Sequence, residues 1–134
     1  QAKWMTMLEI PHDWFPTWYV QDSKIPVRHI YCNKDMAQSL FGALKSVHDK
    51  SLGSELHTFD GCFNIRPVRN SASFSLHSYG LALDIYASRN PMDYILRTTF
   101  SKAFVQCFKD QGFYWGGDWK GRKDPMHFVW GVNG

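Results

Sequence analysis

Two amphipathic helical patterns, separated by short alternating segments, constrain the fold of this chain more than any other feature. Asn33 offers an N-cap, and the apolar residues behind it recur at helical spacing, which predicts a helix of about 14 residues ending before Gly53. Those apolar residues are Met36, Leu40, Leu44 and Val47. Asn90 and Pro91 predict the start of a second helix, with one broad apolar stripe that runs to a stop at Gly112.

Short strand patterns surround these two helices. Residues 27–32, 113–115 and 126–130 are apolar and aromatic, and residues 81–87 alternate apolar and other side chains. The expected fold class is therefore α+β, with a small, mainly antiparallel sheet and two main helices. We expect a single domain over residues 1–134, in which residues 1–23, broken by two prolines, form an irregular N-terminal arm.

Composition and charge exclude several classes of function. Fifteen basic against twelve acidic residues leave a net charge of +3 without any block of Lys and Arg, so we expect no nucleic-acid partner. No apolar run approaches the ~20 residues that cross a bilayer, so we expect no membrane partner. Aromatic residues make up 16% of the chain, which favours an aromatic core over a glycan- or peptide-binding groove. A monomer is the preferred state.

The three cysteines do not form a metal-binding pair. Cys32, Cys62 and Cys107 are widely spaced, with no C-x-x-C pattern. Their apolar surroundings favour buried thiols, although a bridge between Cys32 and Cys62 stays open. The sequence therefore does not indicate a cysteine-rich zinc site.

Two histidines and two aspartates stand at spacings typical of a catalytic zinc site. His77 lies in a predicted loop, and a glycine turn leads from it into the strand that carries Asp84. A carboxylate among apolar strand residues is costly unless it is paired or binds a metal. His127 begins a later aromatic strand and would be the third protein ligand of a catalytic zinc ion. Asp124, which Pro125 keeps out of that strand, could accept a proton from zinc-bound water.

Each part of this set also has a structural explanation. Asp84 could pair with Arg66 or Arg69, Asp124 could belong to a simple turn, and His127 could be a packed residue at a strand edge. Spacing alone leaves the choice open. The remaining histidines stand in contexts that favour structural or surface roles: His12, His29, His48 and His57.

The two motifs resemble a known family. Ser-x-His-x-x-Gly-x-Ala-x-Asp, followed downstream by an acid-x-x-His, is similar to the signature of the D-alanyl-D-alanine metallopeptidases. That family includes VanX, VanY and the L-alanyl-D-glutamate peptidases of phage endolysins. The resemblance spans roughly residues 27–130, and residues 61–66 and 115–119 look like the phage-type members. The motif positions are filled here by Ser75, His77, Gly80, Ala82, Asp84, Asp124 and His127.

The resemblance implies a site and a mechanism. Zn²⁺ would be held by His77, Asp84 and His127 on the face of a sheet in a fold like that of hedgehog proteins and D-Ala-D-Ala peptidases. Asp124 would move the proton, and an aspartate there favours the phage branch over the VanX-like enzymes, which often carry glutamate. An arginine before the first motif would bind substrate or stabilise the oxyanion, with Arg66 as first choice and Arg69 as second.

The predicted substrate is bacterial peptidoglycan. An endopeptidase cutting the L-alanyl-D-glutamate bond, as a phage lysin would, is the leading hypothesis. A D-alanyl-D-alanine carboxypeptidase or dipeptidase and a non-catalytic zinc-binding domain are the alternatives. Ser75, Trp115 and Trp119 are candidate substrate contacts, although a turn and aromatic packing explain them as well. Such a lysin would be made in the host cytoplasm and act on the wall, released or virion-associated; a periplasmic or secreted bacterial enzyme is the other possibility.

Overall fold

The computed structural model describes residues 5–63 and 81–130. Within these ranges two helices and seven strands form an α+β arrangement. The strands are β1 (Met5–Glu9), β2 (Tyr19–Val20), β3 (His29–Asn33), β4 (Thr58–Phe63), β5 (Ala82–Ile85), β6 (Phe113–Trp115) and β7 (His127–Trp130). The helices are α1 (Lys34–Asp49) and α2 (Lys102–Lys109). None of the helices in these ranges has the length and apolar character needed to cross a membrane.

The described strands form two sheets. β1 and β3 make an antiparallel pair, and the larger sheet has the order β2-β4-β5-β7-β6. In the larger sheet only the short β2 runs parallel to its neighbour, β4. The prediction of an α+β fold with two main helices and a mainly antiparallel sheet is confirmed.

Helix α1 forms as the local pattern predicts. The side chain of Asn33 accepts hydrogen bonds from the backbone N–H groups of Asp35 at 2.8 Å and Met36 at 3.3 Å, which caps the first turn. The apolar side chains at helical spacing are all buried against the core. The helix has 16 residues, slightly more than expected, because it begins directly at the cap.

Helix α2 begins later than the sequence predicts, so the prediction of a helix start at Asn90 is wrong. The Asn90 side chain is fully buried and donates to the backbone oxygen of Tyr86 at 2.9 Å. It also donates to the Thr99 hydroxyl at 3.0 Å and accepts from the Thr98 hydroxyl, so its amide joins two loops instead of capping a helix. Ser101 caps α2 in its place, by accepting from the Phe104 N–H at 3.1 Å.

The N-terminal segment is more regular than expected. The sequence predicts an irregular arm over residues 1–23, whereas the structure places β1 and β2 there. β1 pairs with β3 along its whole length, and β2 pairs with the start of β4. Trp18, which lies between β1 and β2 in the chain, is fully buried. The N-terminal segment therefore contributes a large apolar side chain to the core.

The same core leaves the cysteines chemically inert. Cys32 is fully buried, and burial raises the pKa of its thiol to about 11. Burial likewise raises the pKa of the Cys62 thiol to about 12. Thiols with such pKa values are protonated at neutral pH and make poor nucleophiles. Cys32 and Cys62 are therefore not candidates for the chemistry of this chain.

Candidate active site

The two central strands of the larger sheet bring together Asp84 and His127. Asp84 on β5 and His127 on β7 are directly opposite each other in the antiparallel register of these strands. Side chains that are opposite in register lie on the same face of a sheet. The Nδ1 atom of His127 lies 2.8 Å from Oδ1 of Asp84, although the two residues are 43 positions apart in sequence. The register of the sheet, and not a local turn, therefore creates this pair.

Strand alternation explains why both side chains are only partly exposed. Leu83 and Ile85, which flank Asp84, are fully buried on the core face, and Phe128 beside His127 is fully buried as well. Asp84 and His127 consequently lie on the opposite face, where their side chains are 18% and 21% exposed. This position is shielded enough to strengthen a charge interaction and open enough to admit a ligand.

Asp124 lies close to this pair, three residues before the start of β7. Its backbone N–H donates to the Gly116 oxygen at 2.9 Å, and its own carbonyl accepts from the His127 N–H at 3.0 Å. The residue is 8% exposed, and its buried Oδ1 atom has no hydrogen-bond partner among the residues that the structure describes. A buried carboxylate oxygen without a hydrogen bond lowers the stability of the fold. Its presence here indicates that the carboxylate has a functional role instead of a structural one.

The surroundings of Asp124 change its acidity. Burial raises the pKa of the Asp124 carboxyl above its usual range, against the opposing charge of His127. The charge of Asp84 raises this pKa further, and the charge of Arg122 lowers it. A carboxyl whose pKa is shifted toward neutrality is a better proton acceptor and donor at neutral pH than an exposed aspartate.

The turn after β6 packs closely against the backbone of Asp124. A Cβ atom added to Gly116 would lie only 2.1 Å from the backbone oxygen of Asp124, so this close approach requires glycine. The Trp115 indole N–H donates to the Pro125 oxygen at 2.7 Å in a buried position. Sequence reasoning did not single out Gly116, although the glycine pair at 116–117 is a signal of a close backbone approach.

The two candidate substrate tryptophans occupy different environments. Trp115 is 9% exposed and is held behind the Asp124-Pro125 segment by its indole N–H. Trp119 is half-buried, and its ring meets the His127 ring edge-on at a centroid distance of 5.7 Å. Of the two, Trp119 lies closer to the histidine, and its predicted contact with substrate stays a prediction.

The other predicted site residues lie outside the described part of the chain. These are the first metal ligand, the serine of the same motif and both candidate arginines: His77, Ser75, Arg66 and Arg69. The structure therefore brings together two of the three predicted zinc ligands and places the predicted proton carrier next to them.

The described donors fit a zinc ion. Imidazole nitrogen and carboxylate oxygen are ligands that Zn²⁺ accepts, and two such donors on one tetrahedral ion lie about 3.4 Å apart. The Asp84–His127 separation of 2.8 Å needs only a small side-chain adjustment to reach that value. No cluster of three or more His, Cys, Asp or Glu side chains suited to a metal occurs within residues 5–63 and 81–130. His77, the third predicted ligand, lies outside those ranges.

A protein-family model matches the part of the chain that contains this candidate site. Residues 69–130 match a family model described as D-alanyl-D-alanine carboxypeptidase. The matched segment contains Asp84, Asp124 and His127, and it confirms the resemblance to the VanX- and VanY-like family that the motifs indicate. The match supports a metallopeptidase that acts on peptidoglycan, in a family whose members generally depend on zinc.

Proposed function

We propose that this chain is a zinc-dependent peptidase that cuts the stem peptide of bacterial peptidoglycan, at the L-alanyl-D-glutamate bond, as a phage lysin does. The observation that carries the proposal is the Asp84–His127 pair at 2.8 Å near a buried Asp124 oxygen that has no hydrogen-bond partner in the described part of the chain. Two donors suited to a metal, next to a second carboxylate that could move a proton, are what metal-assisted hydrolysis requires.

His77, Asp84 and His127 would hold the zinc ion on the exposed face of β5 and β7. When bound at such a site, zinc lowers the pKa of water to about 7 and polarises a carbonyl oxygen. The chain contributes the orientation of the ligands, since the strand register sets the distance between Asp84 and His127. The half-buried ring of Trp119 limits access of bulk water to His127 from one side.

Asp124 would carry the proton in both halves of the reaction. Its carboxylate would accept a proton from the attacking water and return it to the departing amine. The hydrogen bond from the His127 N–H to the Asp124 carbonyl holds the carboxylate at a set position relative to the metal ligand. Arg66, or else Arg69, would stabilise the oxyanion of the tetrahedral intermediate, and Ser75 with Trp115 and Trp119 would contact the substrate.

A second function, D-alanyl-D-alanine carboxypeptidase, is favoured by the description of the matching family model. A carboxypeptidase needs a cation for the terminal carboxylate of its substrate. Arg122 is exposed, and its charge is close enough to lower the pKa of Asp124. Both candidates share the same reaction chemistry and differ only in which bond is placed at the site.

The experiment compares wild-type protein with Asp124→Asn on purified stem peptides, with the fragments identified by mass spectrometry. Fragments ending at L-alanine support the endopeptidase, and released D-alanine supports the carboxypeptidase. Asp124→Asn should keep its zinc and lose turnover by about a hundredfold or more, because proton transfer contributes on that scale. Asp22→Asn, a change at an exposed aspartate, is the matched control.

Two results would contradict the proposal. A wild-type protein that binds zinc but releases no fragment from any stem peptide would be a non-catalytic zinc domain. Wild-type turnover by Asp124→Asn would show that another group moves the proton. The proposed setting is a monomer acting on the wall, released by a phage or carried on the virion, with a bacterial periplasmic or secreted enzyme as the alternative.

A further inference from the structure

Residues 92–96 expose four large apolar side chains in a row of five. Met92 is 46% exposed, Tyr94 69%, Ile95 66% and Leu96 42%. These residues lie between Asn90 and the start of α2, in a segment without helix or strand. Isolated exposed apolar residues are ordinary, but a contiguous exposed set usually marks a surface that binds something.

This segment is attached to the edge of the candidate active site. Asp93 and Lys123 form an antiparallel bridge, with both N–H···O bonds present at 3.0 and 2.7 Å. Lys123 directly precedes Asp124 in the chain, so the bridge joins the apolar segment to the residue next to the proposed proton carrier.

The two bridged segments are also basic. Residues 91–100 and 119–123 together contain four basic residues and one acidic residue, and Asp118 and Asp124 flank the second segment. Lys120 and Arg122 are exposed, and neither has an ion-pair partner within the described ranges. Arg122 and Lys120 belong to the segment that is bridged to the apolar residues, and they would attract the carboxylates of an anionic partner.

We propose that this docking surface, made of Met92, Tyr94, Ile95 and Leu96 with Lys120 and Arg122, binds the anionic stem peptides of peptidoglycan next to the bond that is cut. The inference rests on the proposed function and names where its polymeric substrate is held. Stem peptides carry both alanine methyl groups and free carboxylates. Exposed apolar side chains bind the methyl groups, and the two exposed cations pair with the carboxylates.

The test measures cosedimentation of the protein with purified insoluble peptidoglycan, in the cold and over times too short for hydrolysis. Ile95→Ser should weaken binding about tenfold, equivalent to about 1.4 kcal/mol. Ile25→Ser is the matched control, because Ile25 is 65% exposed but lies in the turn after β2. Arg122→Ser should weaken binding at low salt and much less at high salt, whereas Arg28→Ser, at another exposed arginine, should have no effect.

Thermal unfolding of each variant checks that it is folded. We expect each variant to fold, because substitutions at exposed positions such as Ile95 and Ile25 usually change stability little. Equal binding by Ile95→Ser and Ile25→Ser would overturn the proposal. So would a wild-type protein that binds vesicles of phosphatidylglycerol in preference to peptidoglycan, because the surface would then serve a membrane.

A parallel assay separates this proposal from the proposed function. Cleavage of a soluble stem peptide by the wild-type protein reports the reaction and does not require the insoluble polymer. If the wild type cleaves nothing but Ile95→Ser still loses binding, the docking surface stands and the peptidase assignment fails. If the wild type cleaves the peptide but Ile95→Ser binds peptidoglycan normally, the peptidase assignment stands and the docking surface fails.

Discussion

Gly116→Ala tests how the turn after β6 positions the proposed proton carrier. The new Cβ atom would lie 2.1 Å from the backbone oxygen of Asp124 and 2.9 Å from its carbonyl carbon. These neighbours are backbone atoms, which cannot rotate away as a flexible side chain can. The backbone of Gly116 has no positive φ, so the effect of the substitution is steric contact and not a disfavoured backbone conformation.

The expected magnitude follows from that contact. A carbon–oxygen contact of about 3.3 Å is comfortable, so the Asp124 backbone must move by about 1 Å. The same carbonyl accepts the His127 N–H, so the shift also strains the link to β7. Overpacking of this kind costs about 1–3 kcal/mol of stability, and a misplacement of about 1 Å costs on the order of a hundredfold in rate.

The assay combines stem-peptide turnover, zinc content and thermal unfolding for Gly116→Ala and for Gly42→Ala. Gly42 lies in α1, and a Cβ there would meet only the end of the Gln111 side chain, at 2.7 Å, which can move aside. Gly42→Ala should therefore keep full activity and gain helix stability of up to about 1 kcal/mol. Gly116→Ala should keep zinc and an ordinary KM while kcat falls about a hundredfold. A folded Gly116→Ala with the kcat of Gly42→Ala would refute this account of the turn.

Three further predictions concern stability. Trp115→Phe leaves the buried Pro125 oxygen without its 2.7 Å indole donor and should lower the free energy of unfolding in urea by about 1–3 kcal/mol; an unchanged midpoint would contradict this. Asn90→Ala removes a fully buried amide that joins two loops and should cost about 3 kcal/mol in the same assay, whereas an exposed Gln38→Ala should cost little. In metal-free protein, burial raises the pKa of Asp124 above its ordinary value of 3.8. Between these two pKa values the folded state binds more protons than the unfolded state. The free energy of unfolding should therefore fall as pH rises from 3.8 through the raised pKa, and Asp124→Asn should lack this fall.

The two helices show how far local sequence signals reach. The cap at Asn33 and the spacing behind it predict α1 correctly, because both signals act within one or two turns of chain. At Asn90 the same kind of signal is present, but the amide is used by Thr98 and Thr99. Hydrogen bonds to residues eight and nine positions away replaced the local cap, and the apolar residues that follow Asn90 stay exposed in the proposed docking surface.

The candidate site likewise has features that the sequence predicts and features that only the tertiary structure shows. The residue types at 84, 124 and 127, and the family they resemble, can be recognised from the motifs alone. The pairing of Asp84 with His127, the support of Asp124 by Gly116 and the bridge between Asp93 and Lys123 cannot, since each joins segments that are separate in sequence.

The amino-acid sequence by itself determined the α+β class, helix α1 and the chemical groups available for a reaction, because capping, periodicity and side-chain chemistry are local properties. The tertiary structure alone decided which of those groups meet, which face of the sheet they share and which apolar residues stay exposed. These depend on strand register and on competition for buried hydrogen bonds across the whole domain, and no short stretch of chain contains that information.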